Sequence, residues 1–522
     1  MTERTTVAVI GLGAAGLVAL KNLKEQGFDV TGFERNDYIG GLWKYAEDDR
    51  TSVLNTTVAN ISKERGCFTD FPYSNSVPSY PTAAQVHQYL VSYAEHFNLE
   101  PHFRLSVSIQ EISFDSDQQQ WVVRVAKHND QYFDKIVVTI GGMVGQPSMP
   151  SVPGLEDFEG LSIHVKSFKR PQNFTGKRVM VVGFGNSAAD TSTQLVGAAS
   201  KIYLAHRHGA RVVPRMHNGK PIDHNHSLRL FRISSLVMKY FPGFAERQFD
   251  KFMKSYQDKH FKLKPEWGFE PAQKVPMVSD TLVDHLHAGD IESVPVMKRI
   301  ISPTTVELEN GRQIDVDTII WCTGYKSDFS IMHPDYDPSA PTNTAWTQAQ
   351  GANNKSLFNL YLNVFSARKP DSLAFIGNVY FALGGFHISD MAAMAIAQVF
   401  KGASKLPAQA EIEADIKRQH VWLAGLAGYG YNISPGNVDG GPWMAKMNEL
   451  GGTGVDEYLG YGLKGWWFWL WNIWFCHLLM DGIWAPCIYR VFEGPKRKSW
   501  VGAKDAIEKM NASNTESEVK DS

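Results

Sequence analysis

Twice along the chain a short apolar run breaks at glycines and resumes as small and apolar residues at helical spacing. Thr6-Val-Ala-Val-Ile10 predicts a buried strand, Gly11-Leu12-Gly13-Ala14-Ala15-Gly16 a tight turn, and the residues through Leu23 a helix that stops at Gly27. Phe28–Phe33 predicts the next strand, ending at Glu34. The pattern returns at Val179–Val182, then Gly183-Phe184-Gly185-Asn186-Ser187-Ala188-Ala189-Asp190, a helix, and the strand Lys201–Ala205 that ends at His206-Arg207. Strand, glycine turn, helix and strand form the unit of a parallel sheet with a nucleotide at its edge.

Between and beyond these units the pattern varies. Ala83–Phe97 has helical spacing, and Ser106–Ala126 alternates as hairpin strands do. Phe133–Ile140 predicts a strand ending in Gly141-Gly142, and the Pro-rich Gly145–Pro153 marks a boundary. Pro214 to about Pro295 is a long connection. It contains Leu228–Phe241, an apolar helix with interspersed Arg and Lys that suits either a membrane or another domain. Val306–Leu308 and Gln313–Ile320 are expected to resume the second sheet, which ends at Trp321-Cys322-Thr323-Gly324-Tyr325 before the chain crosses back. Leu373–Ile376 and Gly384-Gly385 precede an alanine-rich helix, Ser389–Phe400. Lys464–Asp481 encloses a nearly unbroken apolar run with Trp466, Trp467, Trp469, Trp471 and Trp474, and Trp484 follows. As one helix of about 16 residues it reaches roughly 24 Å, short of a roughly 30 Å hydrocarbon core. It therefore predicts a monotopic membrane segment, with a buried core helix as the alternative. Beyond Lys504 the chain is polar and predicts a mobile tail.

These elements predict an α/β protein with two Rossmann-like dinucleotide-binding domains, a helical insertion and a C-terminal membrane-associating segment. The expected division is 1–155 with 326–455 as one domain and 156–325 as the second, with the insertion at about 215–295. Residues 456–500 form the membrane-associating segment and 501–522 the tail. A formal net charge of −2 gives no electrostatic case for nucleic acid. Cys67, Cys322, Cys476 and Cys487 form no CxxC pair, which argues against a disulfide framework, a zinc site or a dithiol redox centre. The polar start leaves no room for a cleaved signal peptide, so a secreted protein is not expected.

Charge distinguishes the two glycine turns. Glu34 follows the first turn by about 20 positions, where an acid accepts hydrogen bonds from a ribose 2′-hydroxyl and repels a 2′-phosphate. That turn suits FAD or NAD. The equivalent position after the second turn is Arg207, a cation that pairs with the 2′-phosphate of NADPH. Ala188 replaces the third glycine, which the fingerprint tolerates. Two such sites imply electron transfer from a nicotinamide to a flavin. With no paired cysteines to receive the electrons, molecular oxygen is the remaining common acceptor.

Further motifs carry a resemblance. Phe158-x-Gly160-x-x-x-His164-x-x-x-Phe168, Gly40-Gly41-Leu42-Trp43, Asn60-Ile61-Ser-Lys-Glu64, Asp70-Phe-Pro72 and Cys322-Thr-Gly-Tyr325 occur in order. They are followed by Tyr489-Arg490, Gly494-Pro495 and Trp500-x-Gly-Ala-Lys-x-Ala-Ile507. With these the chain resembles the flavin-containing monooxygenases of the animal microsomal type over nearly its whole length. The resemblance implies FAD held by Gly11, Leu12, Gly13, Ala14, Ala15, Gly16, Glu34, Arg35, Gly41, Leu42, Trp43, Asn60 and Ile61. It implies NADPH held by Ala59, Asn60, Gly183, Gly185, Asn186, Ser187, Ala188, Ala189, Asp190 and Arg207. It also implies a C4a-hydroperoxyflavin that oxygenates a soft nitrogen or sulfur of a small amine or sulfide, with Asn60 as the active-site residue. His164, in the linker motif, is expected to be structural or gating. A membrane surface, the cytosolic face of the endoplasmic reticulum if the protein is eukaryotic, and a homo-oligomer belong to the same set of expectations.

Two departures bear on substrate and location. Val379–Asp390, with His387, lacks the proline and glutamine pattern of the microsomal enzymes, and their strongly apolar C-terminal anchor is absent. Three other readings remain: a Baeyer–Villiger monooxygenase acting on ketones, an uncoupled NADPH oxidase releasing H2O2, and an inactive flavin-binding interaction protein. Against the first, the identifying motif ends in Phe168 where that group carries Trp.

Overall fold

The computed structural model describes residues 4–141, 145–269, 276–339, 343–430 and 432–520, with side chains described through residue 512. Gly142 of the expected boundary and the final two residues of the expected tail lie outside these.

Two parallel sheets dominate. The larger runs in the order Leu360–Tyr361, Phe365–Ser366, Leu373–Phe375, Lys135–Val138, Thr6–Ile10, Asp29–Phe33, Phe103–Arg104. Its pairs from Leu373–Phe375 onward are parallel, with Val9 lying between Val137 and Gly32. Val7, Ala8 and Val9 are fully buried because helices and loops cover both faces, which is why this strand reads as an unbroken apolar run. The helix Ala14–Glu25 packs on Gly385–Phe400, which in turn packs on Gly440–Gly451. The second sheet is parallel throughout: Ile291–Pro295, Lys201–His206, Arg178–Val182, Thr318–Trp321, Leu161–His164. In both sheets the strand before the glycine turn is flanked on each side by a parallel neighbour. A mixed α/β fold with a helical insertion, Leu228–Tyr240 and Pro242–His260, is therefore present.

Three expectations are corrected. Val306–Leu308 and Gln313–Asp315 do not join the second sheet; they form a separate antiparallel sheet with Met297–Ser302. The turn at Gly311, with φ +81°, is too short for a parallel crossover, so only Thr318–Trp321 returns to the main sheet. The apolar run at Lys464–Asp481 is not one helix but two of nine residues, Leu463–Trp471 and Ile473–Asp481. Asn472 breaks it at φ −136° and ψ 42°, its Nδ2 donating to Phe468 O at 3.1 Å as local Asn side chains do in competition with a helix. Among the described residues no helix is long and apolar enough to cross a membrane. The chain beyond Lys504, expected as a tail without an element of its own, is a helix, Ala503–Lys520. Buried Ile507 and the bond from Ile483 N to Asn511 Oδ1, 2.9 Å, dock it.

Candidate active site

The first glycine turn stands at the C-terminal end of Thr6–Ile10, the edge where open parallel sheets take ligands. Gly11 has φ +97°, and a side chain on Gly16 would collide with the Gly11 carbonyl, so both positions require glycine. Gly13 is different. The place a Cβ would take has only Gly41 Cα within 4 Å, at 3.7 Å. Gly13 is also the N-cap of Ala14–Glu25 and gives its first N–H groups no side-chain acceptor, whereas Thr82 caps its own helix by accepting from Gln85 N. Leu12 is buried, and Ala14 and Ala15 are half-buried. Glu34 is buried beside the turn, its Oε2 accepting from Leu12 N and its Oε1 from Asn36 N, each at 2.9 Å. Gly40 N donates to Leu12 O at 2.8 Å and lays Gly41-Leu42-Trp43 along the turn, with the Trp43 ring edge-on to Phe386 at 6.2 Å. Arg35 is exposed. Open space at Gly13, an uncapped helix end and a pinned carboxylate fit the adenosine diphosphate portion of FAD.

The second turn repeats the arrangement with opposite charge. A Cβ on Gly183, φ +130°, would lie 2.5 Å from Cys322 O, while the place a Cβ on Gly185 would take is open. Gly185 caps Asn186–Leu195 without a side-chain acceptor. Gly185, Asn186 and Ser187 are exposed; Ala188 and Ala189 are packed in the sheet's core, so only their backbones can face a ligand. Asn186 Oδ1 accepts from Val278 N at 3.0 Å. Burial pushes the Asp190 carboxyl up to about 6 against the pull of Arg215. Arg207 is exposed at its strand end and has no ion-pair partner among the described residues, whereas Arg211 is paired with Asp250 at 2.9 Å. An open glycine, a helix end without a side-chain cap and an exposed guanidinium fit NADPH.

Asn60 lies on the strand-like loop between the two halves. Ala59 N donates to Pro81 O at 2.8 Å. Arg215, from the segment after the second turn, reaches across: Nε donates to Ala59 O at 3.0 Å, and Nη2 donates to Val58 O at 3.1 Å and to Asn60 Oδ1 at 2.7 Å. Asp280 Oδ2 accepts from Arg215 Nη1 at 2.7 Å. A second tie lies alongside, where Ser62 N donates to Asp223 Oδ2 at 2.9 Å and Arg65 Nη1 donates to Asp223 O at 2.8 Å. Ile61 packs near Gly384, the N-cap of Gly385–Phe400, which also lacks a side-chain acceptor.

The motif from Phe158 to Phe168 serves the frame. Phe158 packs on the second sheet, and a Cβ on Gly160 would lie 2.6 Å from Asp317 O. His164 Nε2 is 3.0 Å from Gly324 O, and its Nδ1 accepts from Lys166 N at 3.2 Å. The ring is therefore neutral with Nε2 protonated, and burial holds its pKa below the ordinary histidine value. Phe168 is fully buried against Phe174. Sequence reasoning missed Arg215, Asp223 and Asp280. Nothing in its local sequence singles out Arg215; only the fold brings it to Asn60.

Comparison with known proteins agrees over most of the length. The family model described as flavin-binding monooxygenase-like matches residues 4–510. The chain is 43% identical to monooxygenase aurF of Gibberella zeae, covering 97% of each protein. It is 31% identical to flavin-containing monooxygenase 5 of Rattus norvegicus over 80% of this chain and 77% of that one. Among solved structures, S-allyl-L-cysteine S-oxygenase from Allium sativum superposes with a TM-score of 0.62 at 19% identity, covering 86% of this chain and 89% of that one.

Proposed function

The chain belongs to the flavin-binding monooxygenase-like family, and from that premise we propose how its residues divide the work of a flavoprotein monooxygenase that uses FAD and NADPH. The larger sheet, expected as 1–155 with 326–455, takes the flavin at Gly11–Gly16, Glu34 and Gly41–Trp43. The second, 156–325, takes NADPH at Gly183–Asp190 and Arg207. The observation that carries this reading is the opposite charge at equivalent strand ends: a pinned Glu34 and an exposed Arg207. The bound cofactors supply two electrons and activate O2, so that one oxygen atom enters the substrate and the other leaves as water.

The chain's own part is to bind, orient and exclude solvent. No acid or base is needed against a soft amine or sulfide, whose lone pair forms the new bond to oxygen. Asn60 offers its Nδ2–H donors toward the cofactors, since its Oδ1 is held by Arg215. Ala59 and Asn60 sit between the halves, where a retained nicotinamide would help keep water from the flavin.

We further assign a bilayer interface as the partner of one apolar face. Trp467, Trp471 and Trp474 are exposed by 66%, 73% and 63%, alongside Ile233, Leu236 and Phe241 of the insertion. Arg229 Nη2 donates to Asp481 Oδ2 at 2.9 Å and joins the two sets into one surface. Aromatic residues of this kind favour the headgroup region, and two nine-residue helices suit lying in it. The membrane would be the cytosolic face of the endoplasmic reticulum in a eukaryotic cell.

NADPH oxidation measured against a panel of amines, sulfides and cyclic ketones, with peroxide followed in parallel, tests the activity. Nitrogen or sulfur oxygenation at near-equal NADPH use is expected. Turnover of ketones alone would transfer the chain to the Baeyer–Villiger reading, and peroxide equal to NADPH consumed to the oxidase reading.

A further inference from the structure

We propose that Arg215 is the positioning residue for Asn60, fixing the carboxamide with its donor side toward the cofactors and making that orientation depend on the contact between the two halves. The inference rests on the role given to Asn60 above. A guanidinium only donates hydrogen bonds, so the carboxamide atom 2.7 Å from Arg215 Nη2 must be the oxygen, and the Nδ2–H groups must point away. A free asparagine side chain has no such preference and can flip. Arg215 is itself held. Its side chain is 11% exposed, and its Nε and Nη2 donate to the carbonyls of Ala59 and Val58. Asp280 accepts from both its backbone N, 2.9 Å, and its Nη1, 2.7 Å. Tyr80 OH donates to Arg215 O at 2.6 Å. Val58–Asn60 and Tyr80 precede the second glycine turn in the chain, and Arg215 and Asp280 follow it, so the guanidinium joins the two halves at the active-site loop. Asp190, on the helix of the second turn, feels the same cation.

The test is a cycle of Asn60→Ala, Arg215→Met and the double variant, made in flavin-loaded protein. The readouts are peroxide released per NADPH and the flavin difference spectrum produced by adding NADP+ to the oxidised protein. Arg215→Met should keep its flavin absorbance and its reduction by NADPH. It should lose oxygenation by about tenfold or more, as small misplacements at reacting centres do, and should alter the NADP+ difference spectrum. The double variant should be no worse than Asn60→Ala alone, because Arg215 acts through that side chain. Arg215→Lys, able to reach one acceptor but not all, should fall between. Multiplying effects in the double variant, or normal coupling in Arg215→Met, would overturn the inference while leaving Asn60 its role. Normal coupling in Asn60→Ala would remove both. Should Arg215→Met fail to hold flavin, Asp280→Asn carries the test with a smaller change in the same direction, and an unchanged spectrum and coupling there would equally overturn it.

Discussion

Glu34 and Arg207 end equivalent strands in the two sheets, and in the proposed division of cofactors the difference between them sets the choice. Replacing Arg207 with Ala removes the exposed guanidinium, and charge-assisted bonds of this type contribute about 1.5–3 kcal/mol. The KM for NADPH should therefore rise by roughly tenfold or more while that for NADH barely moves, which steady-state kinetics with both coenzymes will show. Asp190 makes a different prediction. Its folded pKa is raised to about 6, so its charge opposes folding at neutral pH and ceases to do so once both states are protonated, below the ordinary aspartate value. In protein stripped of nicotinamide nucleotide, Asp190→Asn should raise Tm at pH 7 to 8. The gain should shrink as pH falls through 6 toward 4, as a thermal series across that range will reveal. Glu34, Arg207 and the glycines were legible because spacing along one strand–turn–helix unit specifies them. Burial of Ala188 and Ala189 and the reach of Arg215 were not, since both depend on packing between segments distant in sequence.

At the scale of elements, the Trp-rich run shows what an apolar pattern can and cannot reveal. Its composition pointed to an interface, and its five tryptophans from Trp466 to Trp474 are exposed, while Phe475, Cys476, Leu479 and Met480 of the second helix are buried in the core. The division into two helices at Asn472 was hidden, because a single asparagine lowers helix propensity only modestly and does not by itself mark a break. Solvent-facing side chains predict the outcome of substitution. Leu470→Ser with Ile233→Ser should weaken co-sedimentation with phospholipid vesicles by about tenfold or more, since each aliphatic group contributes about 1.5–3 kcal/mol when fully buried. Oxygenation of a water-soluble sulfide should be unaffected; vesicle binding at wild-type strength would remove the interface assignment. The final helix, Ala503–Lys520, shows the same limit of pattern: a polar sequence docks through a few residues, Ala503, Ala506 and Ile507, too sparse to stand out.

Across the whole molecule, landmarks far apart in sequence meet in one buried ionic cluster. Lys21 pairs with Asp70 and Glu25; Arg490 reaches Glu25 at 2.9 Å and Asp70 at 3.2 Å; Asp390 accepts from Asn22 Nδ2 and Thr69 N. Asp70 and Arg490 were recognisable as separate motifs, but no local pattern shows that they are partners. Arg490→Ala should destabilise the fold, by up to about 3–5 kcal/mol, because it removes one of the cations from buried carboxylates that Lys21 and Arg497 then compensate only in part, and thermal release of flavin will measure the loss. Burial alone would raise the Glu25 pKa, yet Lys21, Arg497 and Arg490 together hold it down at about 2. A depressed acid stabilises above its unfolded value near 4.5 and loses that contribution as pH falls toward 2. Acid unfolding should therefore steepen across that window and flatten in Glu25→Gln.

The larger sheet has one more consequence, in time rather than space. Lys135–Val138 waits for Leu373–Phe375 as its parallel neighbour, and every strand of the second sheet lies between them in the chain. During synthesis the second sheet is complete before the first can close. The nascent chain must therefore carry the half-built first sheet, one flank of Lys135–Val138 unpaired, until the inserted unit and Leu373–Phe375 after it have been synthesised.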